Sequence, residues 1–339
     1  MLRTTTGFAH TPLKLNPRRM LSALTLSLLG VLGATGIARA DYPEKPITII
    51  ISFPPAGATD VMARAVGQAM STELKQSVVV ENRAGAGGMI GLGAAARAAP
   101  DGYTLHLTAL TNQAIADVLY ASKPADLATD FVPVARVGFA PHALVVPASL
   151  PVSNVQELVA YLKASPDKYN FASQGTGTLS HLESELFALK TGVKIQHIPY
   201  KGSSQALPEL VNASSSLMFD SITGSLPLVQ GGRLKMLAVA SSNRVSSLPD
   251  VPTVKEAGVP GFEANNIFGI VVPKGTPPAI VKTLESAIER ALSSQALVEK
   301  VAIQGSELKF GSAATFGQEI ASEKKTWAAV VKEAGVSIQ

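Results

Sequence analysis

Short apolar runs rich in β-branched residues alternate along this chain with segments in which apolar residues recur at helical spacing. The apolar runs predict strands over Ile47–Phe53, Val78–Glu81, Tyr103–Thr108, Ala143–Pro147, Tyr169–Ser173, Ile195–Pro199, Ser216–Phe219, Lys235–Ala240 and Phe268–Val272. The predicted helices include Thr59–Leu74, Val155–Ala164, Leu179–Thr191, Gln205–Val211, Pro277–Ser293 and Ala314–Ala334. Several strands, such as ITIII and ALVV, are apolar on both faces, as expected for a sheet covered by helices on both sides. The alternation predicts an α/β fold with mainly parallel sheets.

Two irregular stretches interrupt this alternation. FAPHA near Phe139 and GVPGFEANN near Gly258 break the pattern, and no repeat or low-complexity tract is visible. Two such stretches indicate two lobes, with the chain crossing from the first lobe to the second at one stretch and returning at the other. We therefore expect one lobe from residues 41–141 plus 264–339, a second from residues 142–263, and a ligand site in a central cleft between them.

Residues Met1 to Ala40 have the pattern of an export signal. Arg18-Arg19 precede the uncharged segment MLSALTLSLLGVLGATGI, and ARA at residues 38–40 supplies the cleavage pattern. A membrane anchor is the alternative, since the segment is about as long as the shortest spanning helices. Its second half is diluted by Gly, Ala and Thr, however, and no charged stop-transfer run follows. We expect cleavage after Ala40 and a periplasmic protein, with Sec and twin-arginine export both open.

Composition narrows the classes of function. The leader holds five basic residues and no acidic one, so its removal takes the formal net charge from +4 to −1. Charge therefore gives no support for binding to nucleic acid or to an anionic membrane. The absence of cysteine excludes disulfides, thiolate catalysis and cysteine-metal sites. A chain of 339 residues that is 46% hydrophobic can build a large core over two domains.

Small residues join the first predicted strand to its helix in the segment ISFPPAGATD, which ends at Asp60. In a parallel α/β unit, the carboxyl end of a strand faces the ligand crevice, and the next helix begins there with unpaired N–H groups. The residues from Ala56 to Ala58 let a ligand approach these amides, Thr59 offers a hydroxyl, and Asp60 complements the helix dipole. The segment therefore favours binding of a carboxylate or another small anion. An ordinary strand-to-helix turn is the alternative.

A second loop has the same design. The strand NFAS runs into Ser173-Gln174-Gly175-Thr176-Gly177-Thr178 and then into a helix that starts near Leu179. His181 and Glu183 follow in its first turn. Two such loops, one in each lobe, would face each other across the cleft, and contacts from both would make closure depend on the ligand.

Other candidate sites have weaker support. The glycine-rich stretch from Gly85 to Gly93 lacks the spacing of a dinucleotide fingerprint or a P-loop, and fits a tightly packed helix of small residues. The histidines beyond the leader do not pair at metal-ligand spacing: His106, His142, His181 and His197. His106 and His197 alternate within strands, so we expect both to be structural.

No pair of residues has the pattern of a nucleophile and its base. A G-x-S-x-G motif does not occur, and Ser180 and His181 adjoin on a helix, where neighbours do not face each other. Asp220, at the end of the run SLMFD, either caps the next helix or lines the cleft and selects a donor group of the ligand. We therefore expect a binding protein and not an enzyme, with no cofactor and no metal.

The order of these segments resembles a known family. YPEKPITIIISFPPAGATD, VVVENRAGAGGMIG, AAPDGYTLHL, FVPVARVG, ASQGTGTLSHL, HIPYKG, LAVASSNRVSSLPDVPTVKEAG and GIVVPKGTPPAIV follow one another as in the Bug-type receptors. These are the substrate-binding proteins of tripartite tricarboxylate transporters. The resemblance covers essentially the whole mature chain. It implies a two-lobed periplasmic-binding-protein fold of the type II-like Venus-flytrap kind, which closes over a small carboxylated molecule and delivers it to membrane transporter subunits. We expect a monomer.

The resemblance also assigns site residues. The first carboxylate loop of the family falls on Pro54–Asp60, the second on Ser173–Thr178, and an acidic position whose role varies with the ligand on Asp220. This chain has alanine at positions 56 and 58, where the family usually has more glycine, and LVNASSSLMFD replaces a glycine-containing turn. The expected ligand-binding residues are Phe53, Ala56, Gly57, Ala58, Thr59, Asp60, Ser173, Gly175, Thr176, Gly177, Thr178, His181 and Asp220. Phe268 and the stretch Thr108–Asn112 are further candidates for the pocket lining.

The ligand and two alternative functions stay open at this point. Citrate-like acids, dicarboxylates, acidic amino acids, nicotinate and terephthalate-like aromatic acids all fit the two loops. An extracytoplasmic sensory receptor of the same fold would carry the same residues. A secreted hydrolase is the third alternative, and the lack of a nucleophile–base pair speaks against it.

Overall fold

The computed structural model describes residues 42–337, together with Gly7 and Ala9. The predicted leader otherwise lies outside the described residues. Within the described part of the chain, no helix combines the length and the apolar character needed to cross a membrane.

Six strands form the first sheet: β1 (Ile47–Ile51), β2 (Val78–Asn82), β3 (Thr104–Ala109), β4 (Phe131–Ala140), β10 (Asn266–Pro273) and β11 (Glu307–Ser312). They lie in the order β11-β4-β10-β3-β1-β2. β1 is parallel to β2 and β3, whereas β10 is antiparallel to β3 and β4, and β11 is antiparallel to β4. The parallel part therefore occupies one side of the sheet.

Five strands form the second sheet: β5 (His142–Pro147), β6 (Asn170–Ser173), β7 (Gln196–Pro199), β8 (Leu217–Ser221) and β9 (Leu234–Val239). Their order is β7-β6-β8-β5-β9. β6 is parallel to β7 and β8, and β5 is antiparallel to β8 and β9. The carboxyl ends of β6, β7 and β8 therefore lie along one edge of this sheet.

The chain passes between the two sheets twice. It leaves the first sheet after Ala140 and enters the second at His142; it leaves the second after Val239 and re-enters the first at Asn266. The α/β class with two sheets is as predicted. The residue boundaries of the two lobes stay a prediction.

Both sheets are mixed, which corrects the expectation of mainly parallel sheets. The antiparallel strands β5 and β10 are buried along almost their whole length. A strand that is covered on both faces is apolar whichever way it runs, so the apolar pattern indicates burial and not direction.

The helices follow the strands in regular alternation. They are α1 (Ala58–Leu74), α2 (Met89–Ala96), α3 (Leu110–Leu119), α4 (Val155–Lys163), α5 (Leu179–Thr191), α6 (Ser203–Val211), α7 (Ile222–Gln230), α8 (Pro278–Leu292), α9 (Gln295–Ala302) and α10 (Ala313–Ala334). A 3-10 turn, Ala86–Gly88, precedes α2. Helices α1, α3, α5 and α6 each begin within a few residues of the carboxyl end of a parallel strand, and this places their amino ends where a ligand is expected.

The core around the second sheet is aromatic and extends beyond that sheet. Phe171, Phe187 and Phe219 are fully buried, and they share a cluster with Ile115 of α3 and Trp327 of α10. Burying a large apolar side chain contributes about 1.5–3 kcal/mol. Because α3 and α10 lie outside the segment that forms the second sheet, this cluster links that sheet to helices from the rest of the chain.

Candidate functional site

The first loop presents the amino end of α1 without a side-chain cap. Gly57, the residue before the helix, has an extended backbone (φ −85°, ψ 171°), and within residues 42–337 no side chain caps the first turn by a hydrogen bond. The N–H groups of that turn therefore remain available to a ligand. Ala56 adopts a left-handed backbone with φ +67°, a conformation that glycine takes more easily.

Asp60 fixes this loop from behind. Its carboxylate accepts hydrogen bonds from the Ala56 amide at 3.1 Å, from Arg64 Nε at 3.0 Å and from Asn82 Nδ2 at 3.0 Å. Partial burial opposes ionisation, but these hydrogen bonds outweigh it and lower the pKa of Asp60. Asp60 lines neither of the cavities described below. The structure therefore places it as a support of the loop.

The second loop depends on two glycines with left-handed backbones. Gly175 has φ +135° and Gly177 has φ +76°. Thr178 Oγ1 donates to the Gly175 carbonyl at 2.7 Å, and the Gly177 amide donates to His181 Nδ1 at 3.3 Å. Ser173 Oγ accepts from the Gly175 amide at 3.1 Å. These internal hydrogen bonds hold the loop in one conformation ahead of α5.

A stack of rings lies behind the second loop. His197 packs face to face against His181, with ring centroids 3.9 Å apart, and against Phe171 at 4.8 Å. Burial and the neighbouring His181 lower the pKa of His197 to about 3, so its ring is neutral. Ser173 Oγ lies 2.7 Å from His197 Nε2 and is fully buried. This serine–histidine pair orients the loop, since the hydroxyl is also held by the Gly175 amide and is closed to solvent.

Two adjoining cavities lie between the loops. The inner one has a volume of about 20 Å3 and is lined by the start of α1, the start of α6 and the beginnings of β5 and β10. The outer one measures about 480 Å3 and lies against the second loop and the glycine-rich stretch before α2. Phe53, Pro54, Gln174 and Ser204 line both. The two cavities therefore form one continuous site.

A buried ionisable cluster underlies the inner cavity. His142 Nδ1 lies 2.6 Å from Glu183 Oε2, and neither side chain is accessible to solvent. Asp220 Oδ1 accepts hydrogen bonds from Gln174 Nε2 at 2.7 Å and from Ser203 Oγ at 2.6 Å. Asp220 thus positions two lining side chains without lining a cavity itself.

Burial and mutual attraction set the protonation of this cluster. Burial raises the pKa of Asp220 and that of Glu183, in each case against the attraction of neighbouring groups. Burial opposes the protonation of His142, but the adjacent Glu183 and then Asp220 outweigh it and raise the pKa of the imidazole. All three shifts have the same consequence, which is that the cluster retains protons.

The predicted site residues fall into two groups. Seven line the cavities: Phe53, Gly57, Ala58, Thr59, Gly175, Thr176 and Thr178. Six do not line either cavity: Ala56, which is exposed, and Asp60, Ser173, Gly177, His181 and Asp220, which are buried. Phe268 is fully buried in the first sheet and lines neither cavity.

Sequence reasoning missed a third loop. Gly202, Ser203 and Ser204, at the start of α6, line the inner cavity opposite the first loop. The signal was available, since HIPYKGSS runs a short apolar strand into glycine and two hydroxyl residues at a helix start. Asn266 and the role of His142 were also missed, and their local sequence offers no comparable signal.

Comparison with known proteins shows the family of this chain. A family model described as the tripartite tricarboxylate transporter family receptor, TctC, matches residues 62–336. Protein BugT of Bordetella pertussis is 38% identical over 326 residues, which cover 96% of this chain and 100% of BugT.

Solved structures are similar over the same range. The R. palustris protein Rpa4515 with adipate has a TM-score of 0.84 at 34% identity, covering 88% of this chain and 99% of that one. MatC from Rhodopseudomonas palustris with bound malate has a TM-score of 0.79 at 31% identity, covering 86% of this chain and 100% of that one.

The two-sheet α/β fold is that of periplasmic solute-binding proteins. The chain belongs to the TctC family of tripartite tricarboxylate transporter receptors, which confirms the resemblance to the Bug-type receptors. Receptors of this family are periplasmic and bind their substrate without transforming it. The chain is therefore a receptor and not an enzyme.

Proposed function

We propose that this receptor captures a small organic or aromatic carboxylate between the two loops and delivers it to a tripartite membrane transporter. One observation carries the proposal. Loops from the two different sheets line one continuous site, and the described residues of that lining include a single lysine, Lys201, and no acidic residue. Uncapped helix amides with a basic neighbour favour an anion.

The amides provide the binding energy in this proposal. Gly57, Ala58 and Thr59 offer N–H groups and a hydroxyl from α1. Ser203 and Ser204 offer N–H groups from α6, and only Ser204 adds a hydroxyl, because that of Ser203 donates to Asp220. A hydrogen bond from such a donor to a carboxylate contributes about 1.5–3 kcal/mol when it is shielded from water. A few of these bonds, together with burial of the carbon chain in the outer cavity, are enough for micromolar affinity.

Hinge closure is the proposed conformational step. A Cβ placed on Gly202 would lie 3.3 Å from Pro54 Cγ, so the third loop already touches the first. Lobes made of residues 41–141 plus 264–339 and of residues 142–263 would separate at this contact and close again around the ligand. Ligand contacts from both sides then favour the closed state.

The ligand class is supported by relatives. The Rpa4515 structure holds adipate and the MatC structure holds malate, and both ligands are small dicarboxylates. Export to the periplasm with cleavage after Ala40, and a monomeric state, complete the proposal. Mass spectrometry of the exported protein checks the cleavage, and a mature chain that does not begin at Asp41 would contradict it.

A ligand screen tests the function. The mature protein is heated with a panel of mono-, di- and tricarboxylates and aromatic acids, each paired with its amide as a neutral control. A ligand at 100 times its Kd adds about 2.7 kcal/mol of stability, which raises the Tm measurably. We expect at least one acid to raise the Tm and its amide to leave the Tm unchanged. Equal effects of acid and amide, or no effect of any acid, would overturn the proposal.

A further inference from the structure

Three buried residues line the inner cavity with polar atoms that the described residues leave unsatisfied. They are His142, Ser221 and Asn266, which are 0%, 1% and 3% exposed. Within residues 42–337, His142 Nε2, Ser221 Oγ and Asn266 Oδ1 have no hydrogen-bond partner. A buried polar group without a partner costs about 1–3 kcal/mol. Three such groups around one small cavity indicate a place for a polar ligand atom.

The orientation of His142 follows from its two ring nitrogens. Nδ1 lies 2.6 Å from Glu183 Oε2, and Glu183 does not line the cavity. Because His142 does line it and Nδ1 is engaged by Glu183, Nε2 is the ring nitrogen left to meet a ligand there. Nε2 therefore determines which ligand groups can be accepted.

Nε2 is a donor wherever the shared proton of the pair lies. If the proton is on Nδ1, the ring is an imidazolium and Nε2 also carries hydrogen. If the proton is on Glu183, Nδ1 accepts it and the neutral ring carries its hydrogen on Nε2. Nε2 would become an acceptor only if the pair lost this proton and buried a net negative charge, which burial and the nearby Asp220 both disfavour.

The charge of the cavity restricts what this donor can bind. The His142–Glu183 pair is neutral as a whole, and Asp220 adds no positive charge, so these three residues do not compensate a second carboxylate. A hydroxyl matches all three atoms, since its oxygen can accept from His142 Nε2 and from Ser221 Oγ while its hydrogen is donated to Asn266 Oδ1.

We propose that His142, Ser221 and Asn266 form a second subsite that receives a hydroxyl group close to the bound carboxylate, so that the receptor prefers hydroxy acids to the unsubstituted acids. This inference rests on the proposed function, because the loops must hold the carboxylate for the hydroxyl to reach the subsite. Gly57, Ala58 and Thr59 line the same small cavity as His142, so the two groups of the ligand lie on the same or adjacent carbon atoms.

Matched ligand pairs test the preference by calorimetry on the mature protein. The pairs are succinate with malate, glutarate with 2-hydroxyglutarate, adipate with 2-hydroxyadipate, and phenylacetate with mandelate. We expect the hydroxy acid to bind about tenfold more tightly in the pairs that bind, which is the effect of one buried hydrogen bond. 2-Oxoglutarate, which accepts but does not donate, should fall between glutarate and 2-hydroxyglutarate. Equal affinity within every pair overturns the subsite alone, whereas no binding of any acid overturns the proposed function.

Two variants assign the preference to the subsite. His142→Phe keeps the ring and removes the donor, and Ser221→Ala removes the hydroxyl. Each should reduce the ratio of affinities between the hydroxy acid and its parent acid to about threefold or less. Ser184→Ala is the matched control, because Ser184 is a fully buried serine whose hydroxyl donates to the Ser180 carbonyl and which lines neither cavity. It should keep the full preference.

Nitrogen NMR of the imidazole gives a readout that does not depend on the variants folding. The Nε2 resonance of His142 should keep its proton from pH 6 to 8 and shift on addition of a hydroxy acid, with a much smaller shift for the parent acid. Loss of the Nε2 proton in this range, or an unchanged hydroxy preference in His142→Phe and Ser221→Ala, would overturn the subsite.

Discussion

Replacing Gly57 first by alanine and then by valine introduces one and then three carbon atoms beside the amides of α1. The backbone at Gly57 is extended, which any residue adopts. A Cβ there would have the Pro54 carbonyl oxygen, 3.9 Å away, as its nearest neighbour, so the fold accommodates the change. The added carbons take up space in the small inner cavity that Gly57 lines. A carboxylate then cannot reach the amides.

The magnitude follows from the bonds that are lost. Two charge-assisted hydrogen bonds of about 1.5–3 kcal/mol each correspond to a Kd that rises roughly 10²- to 10⁴-fold for Gly57→Val. Gly57→Ala should have a smaller effect of the same sign. Because valine is a poor residue before a helix, Gly57→Val should also lower the free energy of unfolding by about 1 kcal/mol. Calorimetry measures the first effect and urea unfolding the second.

Gly317 of α10 provides the matched control. A Cβ there would meet Pro133 Cγ at 3.6 Å, an ordinary contact, and Gly317 lines neither cavity. Gly317→Ala should raise stability by about 0.5–1 kcal/mol and leave the Kd unchanged. Gly175 is less suitable than Gly57, because its φ is +135° and a Cβ would lie 3.0 Å from the Tyr200 carbonyl oxygen. A Kd for Gly57→Val within threefold of the wild-type value would refute the assignment of the carboxylate to α1.

Three further predictions concern residues outside the lining. Asp60→Asn should lower the free energy of unfolding by about 1 kcal/mol, a modest loss because its ion pair with Arg64 is partly exposed. It should change the Kd less than threefold. A loss of affinity as large as that of Gly57→Val would show that Asp60 contacts the ligand. Gly91→Ala should lower the free energy of unfolding by about 2 kcal/mol or more, as overpacking does, because its Cβ would lie 2.5 Å from Ser52 Oγ. An unchanged free energy in urea unfolding would contradict the tight packing of α2. Burial lowers the pKa of His106 from 6.5 to about 4, so the unfolded chain binds the proton first as the pH falls. The free energy of unfolding should therefore fall by about 3 kcal/mol between pH 6.5 and 4. In urea unfolding, His106→Gln should lose about 3 kcal/mol less than the wild type over this range, and equal losses would refute the reasoning.

The loops could be predicted from the sequence because their chemistry is local. Residues 54–60 contain a strand end, small residues and a helix start within one short segment, and the geometry of a helix start supplies the free amides. Residues 173–178 repeat the arrangement. The prediction went too far in treating every polar residue of these segments as lining. Asp60 and Ser173 point back into the loops that they support, and only the hydrogen-bond partners reveal this.

Two strands were not predicted, each for a physical reason. β4 contains Pro133, Arg136 and Gly138, which weaken an apolar pattern, yet it lies between β10 and β11. Gly138 is needed there because a Cβ would lie 2.0 Å from the Glu307 carbonyl oxygen of β11. β11 is an edge strand with exposed, charged residues, so it lacks the apolar run that identifies an interior strand.

The base of the site could not be predicted because its residues are distant in sequence. His142 begins β5, Glu183 lies in α5, and Asn266 begins β10.

The loops and the base of the site, formed by His142, Ser221 and Asn266, contact different groups of the ligand in these proposals. The loop amides bind the carboxylate that every candidate ligand shares, so Gly57→Ala should weaken all acids by a similar factor. The base contacts the hydroxyl group that distinguishes a hydroxy acid from its parent acid, so Ser221→Ala should change the ratio of the two affinities. Specificity is a difference of affinities. We therefore expect affinity and selectivity to respond to different residues of the same cavity, and a Gly57→Ala variant that changes the ratio while Ser221→Ala preserves it would reverse these roles.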